Sequence, residues 1–509
     1  MHKLIEDVIT LSGKLHIQQG TQKRNITVEV GDNLFEALHA NDVPVNSPCG
    51  GRGKCGKCVV NTHKGQLLAC KTIIDESFFG TTIRAPDTGD MKILAAYESL
   101  HPVICDRPNA SYGISIDIGT TTLAFELLHM TTGTCMATHS QVNSQREFGA
   151  DVMARITHAV AGAQSQLHAY IIKDICQGIR HIIEENGLTK SDISLITITG
   201  NTTMLHLLFN LPCESLGVAP FTPVFIGMKK YSFNELFRSN LLNCDVIILP
   251  GISTFVGADI SAGMLCAGWP NISGNNLLID LGTNGEMALF SRDKIVVTSA
   301  AAGPAFEGGN ISMGIGSVAG AIAKASYLPD SHVFSYETIG NAEPIGICGT
   351  GVVDISAELI RHGLVDETGQ IESNTDAIRI APGISFTQRD IREIQLAKSA
   401  VRSGIEILLD LAGISYTDLS TAFIAGGFGH KIDLKNAVTL GLIPAELTEK
   451  VVILGNSALG GCTKILLSST AESDILKLVN IATEVNLATH PQFNEVFMEY
   501  MGMEWNRTG

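Results

Sequence analysis

The sequence predicts a multidomain chain in which a small α+β module precedes a larger α/β region folded as two lobes. Three observations carry this. Four of the twelve cysteines, Cys49, Cys55, Cys58 and Cys70, crowd into one short stretch near the N-terminus. From Tyr112 onward apolar strand-like runs alternate with helical stretches, the pattern of a largely buried sheet flanked by helices. The strand-to-turn segment IDIGTTTLAFEL at 116–127 returns about 160 residues later as IDLGTNGEMALF at 279–290, an echo expected of two related lobes.

Each element follows from local pattern. Residues 14–34 alternate polar and apolar positions around turn-formers, which reads as a β-hairpin, and LFEALHAND at 34–42 has helical apolar spacing. The cysteine loop comes next, and a second β-rich stretch closes near residue 90. The first domain is therefore drawn over 1–95. Residues 96–110, with two prolines, read as a linker. Beyond it YGISIDIG, SLITITG, NNLLIDLG and TAFIAGG read as buried strands and LHAYIIKDICQGIRHIIEE as a helix. These are divided into a middle region, or first part of the two-lobed region, at 111–195 and the main two-lobed region at 196–509.

Composition narrows the function. A chain of 509 residues exceeds one core, and 45% hydrophobic against 17% charged residues supplies ample buried material. A formal charge of −16 opposes a nucleic-acid partner. The N-terminal MHKLIEDVITLSGKL lacks the apolar core of a secretory signal, and no run approaches a membrane span. The expectation is a cytoplasmic protein with neither membrane nor nucleic-acid contacts.

The cysteines are spaced C-x5-C-x2-C-x11-C, and the other eight are scattered singly from Cys105 to Cys462. Clustering without a secretory signal favours a metal centre over a disulfide framework. Gly50, Gly51, Gly53 and Gly56 let backbone wrap a cluster, and Arg52, Lys54 and Lys57 offset its charge. A structural zinc site is the alternative, although only one CxxC pair is present. Gly51-x4-Gly56-Lys57 imitates a P-loop, but Cys58 stands where the Mg²⁺-binding hydroxyl belongs.

Asp117, Gly119, Thr120 and Thr121 follow a short apolar strand, and Asp280, Gly282, Thr283 and Asn284 repeat the arrangement. Tight turns of this kind offer backbone N–H and hydroxyl groups to phosphate, and the Asp can hold Mg²⁺ through water. Gly426 and Gly427, in AGGFG after TAFI, allow backbone to lie against adenine or ribose. One such turn is usually an ordinary hairpin; the ordered trio is a signal for ATP. GIGSVAG at 314–320 misses the dinucleotide spacing by one residue.

Residues 1–95 resemble a [2Fe–2S] ferredoxin with the five-residue first spacing of the adrenodoxin type, which implies a β-grasp fold and ligation by all four cysteines. Their departure is the early fourth cysteine. The trio of turns resembles the ASKHA superfamily of actin, Hsp70 and sugar kinases. AAGPAFE at 301–307 resembles a nucleotide loop of activators of 2-hydroxyacyl-CoA dehydratases, which adds Gly303 and, as a ribose contact or a capping acid, Glu307; the turn Gly349-Thr350-Gly351 is placed nearby. With GNTTMLHLLF at 200–209, APFTP at 219–223 and SAAAGPAFEGGNISMG at 299–314, nearly the whole chain resembles the reductive activators of corrinoid-dependent enzymes. The resemblance implies a [2Fe–2S] cluster, ATP and Mg²⁺. It also implies an ATP-dependent electron transfer that returns a Co(II) corrinoid protein of a methyltransferase system to Co(I). An upstream low-potential donor is implied and a homodimer admitted; no residue is given a catalytic role. Two rivals are a small-molecule kinase with a ferredoxin appendage and a chaperone-like module whose ATP only controls partner affinity.

Overall fold

The structure, a computed structural model, describes residues 11–503 apart from 20–21, 42, 44, 46–52, 54–57, 86–96, 98–103, 108–110, 150, 373–374 and 428–431. The chain divides into two compact units, residues 1–89 with 145–150, and residues 90–144 with 151–509.

The first unit is built on five strands: β1 Ser12–Gln19, β2 Gln22–Glu29, β3 Val59–Thr62, β4 Gly65–Leu68 and β5 Thr82–Ala85. They run in the order β2-β1-β5-β3-β4, with β1 antiparallel to β2 and parallel to β5. Alternation puts Leu15, Ile17, Ile26, Val28, Val60 and Ile83 on one face, where they pack with Leu34 and Leu38 of the helix Leu34–Ala40. This helix-on-mixed-sheet arrangement is the expected β-grasp form. The expected hairpin and first helix both form.

The second unit holds two six-stranded sheets. The first lobe contains β6 Tyr112–Ile118, β7 Thr122–His129, β8 Thr134–Val142, β9 Ile193–Gly200, β10 Lys229–Ser232 and β11 Asp245–Ile248, ordered β10-β11-β9-β6-β7-β8. The expected division after residue 195 falls inside β9, which pairs along its length with β6. The second lobe begins with β12 Asn275–Leu281, β13 Gly285–Phe290 and β14 Ile295–Ala300. It then inserts a three-stranded sheet, β15 Ala321–Leu328, β16 Val333–Thr338 and β17 Gly346–Ile347, and a hairpin, β18 Ala377–Ala381 with β19 Ile384–Thr387. β20 Leu419–Ala425, β21 Val451–Gly455 and β22 Ala482–Glu484 complete its main sheet, ordered β21-β20-β12-β13-β14-β22.

The two sheets share one plan. In each, three antiparallel strands in sequence are followed by a strand parallel to the first, and then by another parallel to that one. A helix follows the last of these strands in both lobes, Ala258–Cys266 in the first and Ser457–Leu467 in the second. These helices meet at glycines: a Cβ on Gly461 would run into the carbonyl of Ala262, and one on Gly263 would lie 2.9 Å from Ser457 Oγ. Small residues at a crossing let two backbones approach closely.

The helix Ser457–Leu467 also binds the first lobe through polar side chains. Thr463 Oγ1 donates to Glu126 Oε2 (2.7 Å) and Thr197 Oγ1 to the Cys462 carbonyl (3.1 Å). Among the described residues of the expected linker, Asp106 accepts from the Ser469 amide (2.7 Å) and Ser468 Oγ (2.9 Å). Arg107 pairs with Glu472 and donates to the Ile465 carbonyl (2.8 Å). This stretch is fastened to the α/β unit. No described helix is long and apolar enough to cross a membrane.

Candidate functional site

Cys58 immediately precedes β3 and is fully enclosed, while Cys70 lies in the turn Ala69–Lys71. The Ala69 amide donates to the Cys58 carbonyl (2.8 Å), which draws the two segments together. Asn33 Nδ2 holds the Cys70 carbonyl (3.0 Å) while its Oδ1 accepts from the Phe35 amide (2.9 Å) at the start of the first helix. The sulfurs consequently stand 3.0 Å apart, beyond the length of a disulfide at about 2.05 Å. The Cys70 amide points at Cys58 Sγ (3.4 Å). Two closely paired thiols with an N–H directed at sulfur are donor chemistry that fits an iron–sulfur centre. Gly53 has φ +72°, a conformation that favours glycine. Cys49 and Cys55, with Arg52, Lys54 and Lys57, lie outside the described residues.

The second candidate site lies where the two lobe hairpins turn. Asp117 and Asp280 occupy equivalent positions, each one residue before the end of the first strand of its sheet. Gly119 N donates to Thr122 O (3.0 Å) and Gly282 N to Asn284 O (3.1 Å), closing a tight turn in each lobe. In the first lobe Asn201 Nδ2 donates to Thr120 Oγ1 (3.1 Å), the buried Arg155 guanidinium donates to the Thr120 carbonyl, and the Asn143 amide donates to the Thr121 carbonyl (3.0 Å). In the second lobe Thr283 Oγ1 donates to Glu307 Oε2 (2.9 Å) and Asn284 Nδ2 to Glu286 Oε1 (3.4 Å). Gly303, with φ +73°, opens the short turn Pro304–Glu307 that presents this carboxylate.

Gly426 has φ +97°, and a Cβ there would lie 2.5 Å from the Leu281 carbonyl and 3.0 Å from Asp280 Oδ1. Only glycine brings the turn after β20 so close to Asp280. Gly427 is the next residue of that turn. The structure thus gathers Asp280, Gly282, Thr283, Glu307 and Gly426 in one place. Gly349-Thr350-Gly351 has a packing role instead: it opens the helix Gly349–Arg361, where Thr350 Oγ1 donates to the Ala323 carbonyl (2.9 Å) and Gly351 abuts Ile322.

Several residues escaped the sequence reading. Asn456 caps the helix Ser457–Leu467 by accepting from the Leu459 amide (2.8 Å), and its Nδ2 donates to Asp117 Oδ2 (2.9 Å), so a second-lobe residue holds the first-lobe carboxylate. Asp259, in the first turn of the helix Ala258–Cys266, and Glu286 on β13 join the acidic group. Burial pushes Asp117 up to about 7 against the opposing Asn456 hydrogen bond. Burial, then the charges of Asp259, Asp117 and Glu307, push Asp280 up to about 8. Burial raises Asp259 to about 6 and also raises Glu307, while Glu286 is raised by burial and by Asp259 and Asp280. Asp117, Asp259, Asp280 and Glu307 keep partly open surfaces despite deep placement, as the wall of a cleft does. Thr199 Oγ1, on the residue opposite Asp117 in register, and Ser457 Oγ are buried without a hydrogen-bond partner. Partly open carboxylates with turn amides and turn hydroxyls beside them are a ligand set that fits a Mg²⁺-bound phosphate.

Comparison with known proteins places both sites in a family context. Residues 17–79 match the family described as a 2Fe-2S iron-sulfur cluster binding domain, residues 112–270 the RACo middle region, and residues 274–508 the C-terminal domain of RACo, the ASKHA domain. The corrinoid activation enzyme RamQ of Eubacterium limosum is 30% identical over 90% of this chain and 93% of its own. The chain belongs to the RACo family of reductive activators. A second member-like relative, the [Co(II) methylated amine-specific corrinoid protein] reductase of Methanosarcina barkeri, is 28% identical over 76% of each chain. The solved structure of a reductive activator for corrinoid, iron-sulfur protein has a TM-score of 0.70 at 24% identity, covering 97% of this chain and 98% of its own. That likeness establishes the fold, and the family matches mark its order: a 2Fe-2S iron-sulfur cluster binding domain, a middle region and an ASKHA domain.

Proposed function

We propose that the protein is an ATP-dependent reductase that returns an inactive Co(II) corrinoid protein to Co(I), the state needed for methyl transfer. The observation that carries this reading is the union, in one chain of a family with corrinoid-activating relatives, of a paired-thiol module with a group of carboxylates drawn from both lobes. Cys49, Cys55, Cys58 and Cys70 are the proposed ligands of a [2Fe–2S] cluster. When bound, such a cluster supplies one electron at a low potential, near about −400 mV for plant-type centres.

The remaining parts prepare that transfer. Gly119, Thr120, Thr121, Gly282, Thr283 and Asn284 would bind phosphates through turn amides and hydroxyls, with Asp117 and Asp280 facing Mg²⁺ through water. Gly303, Glu307, Gly426 and Gly427 would line the nucleoside end. Asn456 and Asn201 hold Asp117 and Thr120 in place. Each ~100 mV of one-electron deficit costs about 2.3 kcal/mol, so nucleotide must favour a lobe arrangement in which the corrinoid protein is bound and easier to reduce. A separate low-potential donor would refill the cysteine module, in the cytoplasm, and the active assembly would be a homodimer.

The test follows Co(I) absorbance when protein, reductant and a Co(II) corrinoid protein are mixed with and without Mg-ATP. Cys58→Ser should abolish Co(I) formation and spare ATP binding, whereas Asp280→Asn should weaken ATP binding and, with a cluster that is still reducible, also fail to deliver Co(I). Equal Co(I) yield and rate without nucleotide overturns the reading.

A further inference from the structure

Three structural lines meet at Gly455 and Asn456, the residues that join β21 to the helix Ser457–Leu467. The Gly455 carbonyl accepts from the Gly426 amide (3.0 Å), so it anchors the glycine turn beside Asp280. Asn456 reaches Asp117 of the other lobe. On its third side, the Gly455 backbone forms an antiparallel bridge with Tyr97, eight residues beyond Gly89, where the first unit ends.

Tyr97 is held there by more than the bridge. Its ring lies against Gly460, where a Cβ would come within 2.8 Å of Tyr97 Cδ2, so the helix surface is hollowed to receive it. Its hydroxyl donates to Glu126 Oε2 (3.0 Å), the same oxygen that accepts from Thr463 Oγ1 (2.7 Å). Thr463 Oγ1 also reaches Ser115 Oγ (3.0 Å), two residues before Asp117 on β6. Burial raises both the Tyr97 hydroxyl and the Glu126 carboxyl above their usual ranges, as a network closed to water requires. Further along the connector, Asp106 and Arg107 grip the far end of the same helix.

We propose that Tyr97 is the residue that couples the nucleotide cleft to the tether of the cysteine module, by following the crossover helix Ser457–Leu467 as the lobes rearrange. The inference rests on the nucleotide-site reading above. Tyr97 touches no group assigned to nucleotide; it acts by position. A shift of Gly426 or Asp117 on ligand binding moves Gly455 and Asn456, and Tyr97 moves with the strand end it is bridged to. The described part of the connector is then displaced at Tyr97. A coupling of this kind must be reciprocal in free energy.

The experiment uses the full cluster-bearing chain, Mg²⁺ and AMP-PNP as the nucleotide probe. Amide exchange is followed in peptides covering residues 90–107, and AMP-PNP affinity is measured by calorimetry. In the wild type, AMP-PNP should change exchange rates there by at least about threefold. In Tyr97→Ala that difference should vanish while affinity stays within about threefold. Should Tyr97→Ala lose the folded visible spectrum, Tyr97→Phe decides: it keeps ring and bridge, loses the Glu126 bond, and should at least halve the difference. Retention of the wild-type difference by every variant that folds overturns the proposal. Wild-type protein that binds AMP-PNP with no change in exchange also overturns it and leaves the nucleotide site standing. Wild-type protein that does not bind AMP-PNP overturns the nucleotide reading and this proposal together.

Discussion

At Asp280 a carboxyl group is enclosed with Asp259, Asp117 and Glu307 for neighbours, and its affinity for protons rises accordingly, to about 8. The folded, nucleotide-free chain therefore holds protons that the unfolded chain releases above its ordinary value of 3.8. The unfolded state binds fewer protons across that window, so the contribution of Asp280 to stability is present at low pH and lost as pH rises toward about 8. Melting of the nucleotide-free protein should fall between about pH 5 and pH 8 more steeply in the wild type than in Asp280→Asn. Mg²⁺ with nucleotide should raise the wild-type melting temperature more at about pH 8 than at about pH 6, because cation and proton compete for the same oxygens. Asp280→Asn should also weaken Mg-nucleotide binding at least about tenfold, ~1.4 kcal/mol, read by calorimetry. Asn456→Ala removes a helix cap worth about 1 kcal/mol and frees Asp117. A urea melt should show that loss, and calorimetry a fall in nucleotide affinity that capping alone does not produce.

Among the elements, the crossing of Ala258–Cys266 with Ser457–Leu467 leaves no room for a side chain at Gly461. Gly461→Ala should cost about 1–3 kcal/mol, the usual effect of overpacking, visible in a denaturant melt while the visible spectrum of the cysteine module is unchanged. No local pattern marks this crossing: GGC in a helical stretch looks like a weak helix until the partner helix is in place. The strand-turn pairs at Asp117 and Asp280 were legible because strand, Asp, Gly and hydroxyl follow one another along the chain. Asn456 was not, because its importance lies in a carboxylate 339 positions away. Asp259 was hidden for a similar reason, as it joins the acidic group through its charge on Asp280 and Glu286, which other segments contribute. The GTG turn at 349–351, placed near the nucleotide loop by sequence, packs its Thr350 and Gly351 against β15, a contact that no local pattern marks.

For the molecule as a whole, cysteine spacing and the paired turns were enough to read the order of modules, since each is a short-range signature. The joint between the lobes was not, because β9 belongs to the first sheet by pairing rather than by composition. The first unit and the second lobe each enclose their own apolar core, so the two modules should respond separately to their ligands. Cys58→Ser should lose cluster absorption in its visible spectrum and, by differential scanning calorimetry, show a lower transition for the first unit. Saturating Mg-nucleotide at about 100 times its Kd should stabilise the other transition alone, by about 2.7 kcal/mol. A single transition moved equally by both changes would contradict this division.

The shared plan of the two sheets has a consequence of its own. The helices that cross at Ala262 and Gly461 follow corresponding strands, so corresponding elements of the two halves meet face to face. Such a contact is what a symmetric homodimer of one ancestral half would make. Duplication and fusion of that half would release each copy from the need to match the other. Here the copies have diverged at equivalent turns: Thr120 is held by Asn201 and Arg155, whereas Thr283 is held by Glu307. A nucleotide has unlike ends, and two identical walls could not have told them apart.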